Sequence, residues 1–334
     1  MSTVELTRSQ ASTYDGIEAV ALETAKSQAI LLPSMGGNLI SLRDTERDLS
    51  FLCEPLEQGQ PSVARYRERP FTYGIPILFP PNRIADGQFV YGGHTYHFPI
   101  NEPDTGNHLH GFLYDKVWEV TEIGSDDSAS WVTEQFELHP EDETYGLFPH
   151  ESTYAVRYLL RGDSLVQTVE VCNKGTHPMP LMLGFHTAFR VPFHVTGRAA
   201  DYVLRVEVGD QWVLNERKLP QTQQATELER QLRNGVQPFI RPLDSHFDVV
   251  KPGSSSKAEL QDTDSGVTLT YEVDAKYLRW MVWNDDAGGS RVCVEPMTCV
   301  VNAPNLSLPA TTTGLVGLEP GETWSAVSKI SWRS

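Results

Sequence analysis

The chain has 334 residues, 40% of them hydrophobic and 10% aromatic, which is enough for a large core and too apolar for a disordered chain. A formal net charge of −17 excludes nucleic acid as a partner, because such a surface repels a phosphate backbone. No apolar run approaches the roughly 18 residues of a membrane-spanning helix.

The opening "MSTVELTRSQ" carries Glu5 and Arg8 and lacks the apolar stretch of a secretory signal, so a cytoplasmic protein is expected. Cys53, Cys172, Cys293 and Cys299 form no C-x-x-C pair. They read as reduced thiols, with neither a zinc knuckle nor a redox motif.

Short alternating runs broken by turn residues dominate, and these predict strands. "VARYRERP" carries Arg65, Arg67 and Arg69, readable as a solvated strand face or as phosphate-binding cations. "GIPILFPPNRI" (74–84) ends in Asn82 and Arg83; its three prolines make an interior strand poor. The planar fork of Arg83 suits a hydroxyl or carboxylate, or a plain surface ion pair. In "NHLHGF" (107–112), His108 and His110 alternate, so a strand would turn both rings to one side. Such a pair can clip a metal, but no carboxylate ligand follows at a suitable spacing, and no metal is expected. Gly111 implies a close backbone or ligand approach.

"WVTEQFEL" (131–138) reads as a strand, and 152–175 as a hairpin turning at "RGDS" with Gly162 in the positive-φ position. "LMLGFHTAFRV" (181–191) reads as an apolar strand holding His186, either a satisfied core histidine or a proton donor in a pocket. "DYVLRVEV" (201–208) is another strand. "ATELERQLRNG" is the one clear helix, opening at Thr226 and stopping at Gly235. "LDSHF" offers Asp244, a hydroxyl ligand or an Asx turn. "GSSSKAELQDTDSG" (253–266) reads as a surface loop, 267–285 as two strands and 291–301 as another. Glu295 in that last strand is a carboxylate in apolar surroundings, where its pKa rises towards what a general base needs. The alternative is a strand-end glutamate reaching water. No repeat, linker or βαβ unit divides the chain, so residues 1–334 are expected to form a single all-β domain.

Taken in order, "NRI", "LHG" with the following Trp118, "GFHTAF", "LDSHF" and "VEP…NAPN" resemble the aldose 1-epimerase (galactose mutarotase-like) family, over about 76–305. The resemblance implies a large antiparallel β-supersandwich and interconversion of the α and β anomers of a neutral hexose. It implies catalysis by His186 as the acid toward the ring oxygen and Glu295 as the base at the anomeric hydroxyl. Arg83, His110 and Asp244, with Asn82 beside them, would hold the sugar, and no metal or organic cofactor would be used. Many members follow the histidine with an aromatic residue; Thr187 and Ala188 stand there instead, so an altered pocket wall is expected. The alternatives are a hexose-6-phosphate 1-epimerase using the arginines of "VARYRERP", and a catalytically silent sugar-binding protein with Trp118, Trp280 and Trp283 as platforms. Oligomeric state is left open.

Overall fold

Alternation drives the architecture. In the strand Ser152–Arg161, Tyr154, Val156, Tyr158 and Leu160 point inward and are buried, while the residues between them are partly exposed. Its hairpin partner Ser164–Asn173 does the same with Leu165, Val169 and Val171. Gly162 makes the turn at φ 51°, as expected.

The computed structural model describes residues 7–285 and 289–334. The hairpin lies in an antiparallel sheet of eight strands, ordered Glu119–Ser125, Ser130–Leu138, Ser152–Arg161, Ser164–Asn173, Thr323–Arg333, Thr268–Val273, Ser256–Asp262 and Tyr202–Val206. A second eight-stranded sheet runs Pro220–Gln224, Val208–Leu214, Asp244–Val249, Arg279–Asn284, Arg291–Met297, Gly184–Phe185 and Ile77–Leu78, with Ala188–Arg190 also paired to Arg291–Met297. The N-terminal strands, from Arg8–Tyr14 to Leu49–Ser50, form a third sheet of five. One continuous hydrophobic cluster joins the three sheets, from Leu31 through Val132 and Tyr154 to Phe247, Val282 and Val294. The all-β antiparallel sandwich expected from the sequence is therefore present.

The helix Glu227–Asn234 has a complete capping box: Thr226 accepts from Glu229 N–H, and the Glu229 carboxylate returns the bond. Three segments differ from expectation. The arginine-bearing run is a short helix, Val63–Glu68, capped by Ser62, because an apolar residue every third position (Val63, Tyr66) fits a helix turn better than a strand face. The stretch 253–266 contains the strand Ser256–Asp262, whose alternation Ala258, Leu260 was hidden by flanking serines and aspartates. The apolar run 181–191 is broken into Met179–Leu181, Gly184–Phe185 and Ala188–Arg190, since its backbone leaves one partner for another around His186.

Glu134 occupies an inward position of Ser130–Leu138, fully buried, with no hydrogen-bond partner for either carboxylate oxygen among the described residues. Burial pushes its carboxyl well above the usual range. A carboxyl whose folded pKa is raised opposes folding once the pH exceeds its unfolded value. Glu134→Met, which conserves volume, should therefore stabilise the fold by about 1–3 kcal/mol at pH 8. The gain should shrink as pH falls toward the unfolded carboxylate pKa, as read from urea midpoints across pH.

Candidate active site

The strand Arg291–Met297 is buried on both faces. Val292 and Val294 enter the core, so Cys293, Glu295 and Met297 face the other way. Register sets Trp283 opposite Cys293 and Met281 opposite Glu295, and then Asp244 opposite Trp283 and His246 opposite Met281. Paired residues share a face, so Asp244, Trp283, Met281 and Glu295 converge on one patch. Loops rim it to leave a half-open cavity of about 290 Å³, lined by Asn82, Arg83, His110, His186, Asp244 and Glu295, with Phe71 as one aromatic wall and Trp283 as another. All six residues singled out in the sequence meet here.

His186 sits in the break between two strands, not inside one. Its N–H donates to Pro76 O (3.0 Å), and the next carbonyl, Thr187 O, accepts from Val294 N–H (3.1 Å). These bonds fix the ring, whose Nε2 lies 3.2 Å from Glu295 Oε1. Burial lowers the imidazole from 6.5 to about 4. Glu295, 1% exposed, is pushed well above the carboxylate range by burial and then by Asp244, with Arg83 pulling the other way. Burial disfavours both charged forms, which biases the pair toward holding a single proton, on Glu295 rather than His186.

Arg83 is held, not free. Its Nε and Nη2 make two 2.9 Å bonds to Glu102, and its Nη1 lies 3.7 Å from Asp244. Burial works to raise the Glu102 pKa, but bonds from Arg83, Thr105 and Asn107 outweigh it and hold the carboxylate below its usual range. Asp244 also faces Lys218 Nζ at 3.4 Å. Asn82 adopts φ 56° and its Oδ1 accepts from Arg83 N–H at 3.0 Å, so it shapes the turn that presents the arginine.

His110 and His108 do not share a side. His110 lies past the end of the strand Asn107–Leu109 at φ 70°, which rotates its ring into the cavity, edge-on to His186 at 5.1 Å. His108 donates from Nδ1 to Pro99 O (2.8 Å) and packs on Phe98 instead. Burial and the neighbouring His186 and Arg83 hold His110 well below its ordinary pKa. Gly111, at φ 68°, is the close approach expected: a Cβ there would lie 2.0 Å from Phe79 O.

Thr187 and Ala188, which stand where an aromatic residue was expected, are not among the residues that line the cavity. Thr187 donates to the Tyr271 hydroxyl (3.2 Å) and Ala188 joins an apolar cluster behind the site. Trp118 and Trp280 are core residues bonded to Leu113 O and Ser256 Oγ; only Trp283 lines the cavity. Asn302 and Asn305 of "NAPN" bond Ala85 N–H and Gln88 O, fastening the segment that carries Arg83. Phe71 and Glu102 were missed by sequence reasoning; neither lies in a motif, and Glu102 reaches Arg83 across a strand pair. Among the described residues, the group of three donors that converges closely enough for a metal is His186, Cys293 and Glu295.

Comparison with known proteins bears on the family and the fold. The family model for aldose 1-epimerase matches residues 18–331. A galactose mutarotase-like protein of Clostridium acetobutylicum is 30% identical and superposes with a TM-score of 0.92, covering 99% of each chain. A galactose 1-epimerase of Lactobacillus acidophilus shares the fold at 17% identity, with a TM-score of 0.71 over 98% of this chain and 99% of that one. Among curated relatives, protein YihR of Escherichia coli K12 is 26% identical over 245 residues, 71% of this chain and 74% of the relative. The chain belongs to the aldose 1-epimerase family.

Proposed function

We propose that this protein opens and recloses the pyranose ring of a neutral aldose, with Glu295 as base and His186 as acid. One observation carries the reading: the 3.2 Å contact between His186 Nε2 and Glu295 Oε1 on the floor of a half-open cavity. The anomeric hydroxyl and the ring oxygen are bonded to the same carbon. An acid and a base that serve them must stand side by side. Glycoside hydrolysis places its two carboxyls about 5–10 Å apart, on either side of the bond to be cut.

Glu295 removes the proton from O1 as His186 delivers one to O5, and the ring opens to an aldehyde. Rotation about C1–C2 presents the other carbonyl face. Closure reverses both transfers: O5 attacks C1, His186 takes the O5 proton and Glu295 returns a proton to O1. The pair keeps one proton throughout; burial rests that proton on Glu295, so it passes to His186 Nε2, 3.2 Å away, before the ring opens. Arg83, His110 and Asp244 hold hydroxyls, and Phe71 and Trp283 suit the apolar faces of a pyranose.

The pocket cations favour a neutral substrate. Arg83 is neutralised by Glu102 and Lys218 by Asp244. Arg65 turns to Leu56 O (2.9 Å), and of the three arginines in its segment only Arg69 lines the cavity. That arginine is the one feature favouring a sugar phosphate. Initial rates on α-galactose and α-glucose-6-phosphate decide between them, with the neutral sugar expected to have the higher kcat/KM.

His186→Asn and Glu295→Gln should each lower kcat by about 10²–10⁴-fold in polarimetry of fresh α-galactose, with the fold intact by circular dichroism. Unchanged rates in either variant remove that residue from the chemistry. Glu102→Ala should raise KM more than it lowers kcat, because it releases Arg83 without touching the acid or base; Glu102→Asp should recover part of the loss. The pH profile of kcat/KM should keep its acid limb near 4, where His186 gains a second proton for the pair, and not near 6.5. Its basic limb, where Glu295 loses the last proton, should lie above the usual carboxylate range.

A further inference from the structure

We propose that the pocket floor is also a binding site for a transition-metal dication of the Zn²⁺ type, ligated by His186, Cys293 and Glu295, and that the bound ion blocks the site. The blocking rests on the reading of His186 and Glu295 as acid and base; the ligation does not.

One donor atom of each residue lies within 4.8 Å of the others. Cys293 and Glu295 are two apart on one strand, so the pleat turns both to the same side, and His186 meets them from the neighbouring break. The 3.2 Å between Nε2 and Oε1 is close to the spacing that a tetrahedral ion imposes on donors bonded at about 2.0–2.2 Å. All three side chains are buried, yet Glu295 Oε2 has no hydrogen-bond partner among the described residues. This is spare donor capacity at the cavity floor.

The donor chemistry selects the ion. Imidazole, thiolate and carboxylate with a fourth position open to a cavity suit Zn²⁺ or Co²⁺, whereas Mg²⁺ and Ca²⁺ prefer oxygen. Cys293 and Glu295 bind as anions, so each releases its proton to solvent on ligation. A dication then offsets these two charges at the cavity floor, where Asp244 is already paired with Arg83 and Lys218. The ion occupies the nitrogen and the carboxylate assigned to proton transfer, so it inhibits and is not a cofactor.

Cobalt(II) titration of the intact protein reads ligation without any activity assay. Wild type should show a thiolate-to-cobalt charge-transfer band that saturates at one ion per chain. Cys293→Ser should lose the band and Cys53→Ser, in the adjacent buried cysteine, should keep it; His186→Ala should weaken Co²⁺ binding about tenfold or more. No thiolate band in wild type, or a band that survives in Cys293→Ser, overturns the site. Zn²⁺ should slow wild-type mutarotation while Mg²⁺ does not; a chain that ligates Co²⁺ through Cys293 yet turns over unchanged in Zn²⁺ overturns the blocking. Ligation in a chain that accelerates no mutarotation overturns the proposed function alone.

Discussion

An imidazole and a carboxyl lie 3.2 Å apart in a place from which water is largely excluded, and most of the site exists to keep them there. Both would lose free energy if charged without a partner in such surroundings. Facing each other, they can share one proton and pass it without a net change in buried charge. That arrangement demands a rigid frame on both sides. Glu295 has it from a central strand paired along Arg279–Asn284, and His186 from backbone bonds to Pro76 and from Val294. The break in the apolar run around His186 is thus the means of placing the ring: a continuous strand would have sent it along the pleat.

Around the pair runs a chain of opposite charges. Glu102 grips Arg83, Arg83 approaches Asp244, and Asp244 faces Lys218. Arg217 ties the two loops that carry them, bonding Thr105 O at 2.8 Å while Asn107 bonds Arg217 O at 2.8 Å. Arg83 and Lys218 are therefore already balanced, and what Arg83 presents to the pocket is directed hydrogen bonding more than net charge; Arg69, at the cavity rim, stands outside this chain of charges. The fold holds Arg83 as a fixed fork at the pocket wall.

Much of this was legible because two physical signals are local. Alternation of apolar residues marks strands whatever lies next to them, and it marked the 152–175 hairpin, the Glu295 strand and the strand over 131–138, whereas the Asp244 strand was read only as a ligand position or a turn. Caps mark helix ends, and Thr226 and Gly235 bounded the helix Glu227–Asn234. The failures came where local pattern is outweighed. Serines and aspartates around Ala258 and Leu260 disguised a strand that its neighbours' ladders recruit, and the positive φ of His110 undid the same-side expectation for the two histidines. Five motifs in order carried the family resemblance, yet the structure gives "NAPN" a fastening duty apart from the cavity.

The sequence by itself determined the fold class, the family and the identity of six cavity residues, since residue type and alternation are written in the chain. Only the tertiary structure decided that Arg83 arrives already paired with Glu102, that Trp283 and Phe71 form the walls while Trp118 and Trp280 do not, and that Cys293 lies beside His186 and Glu295. Those facts depend on cross-strand register and on loops folding back over a sheet. Both are set by the packing of residues far apart in the chain, which no local pattern records.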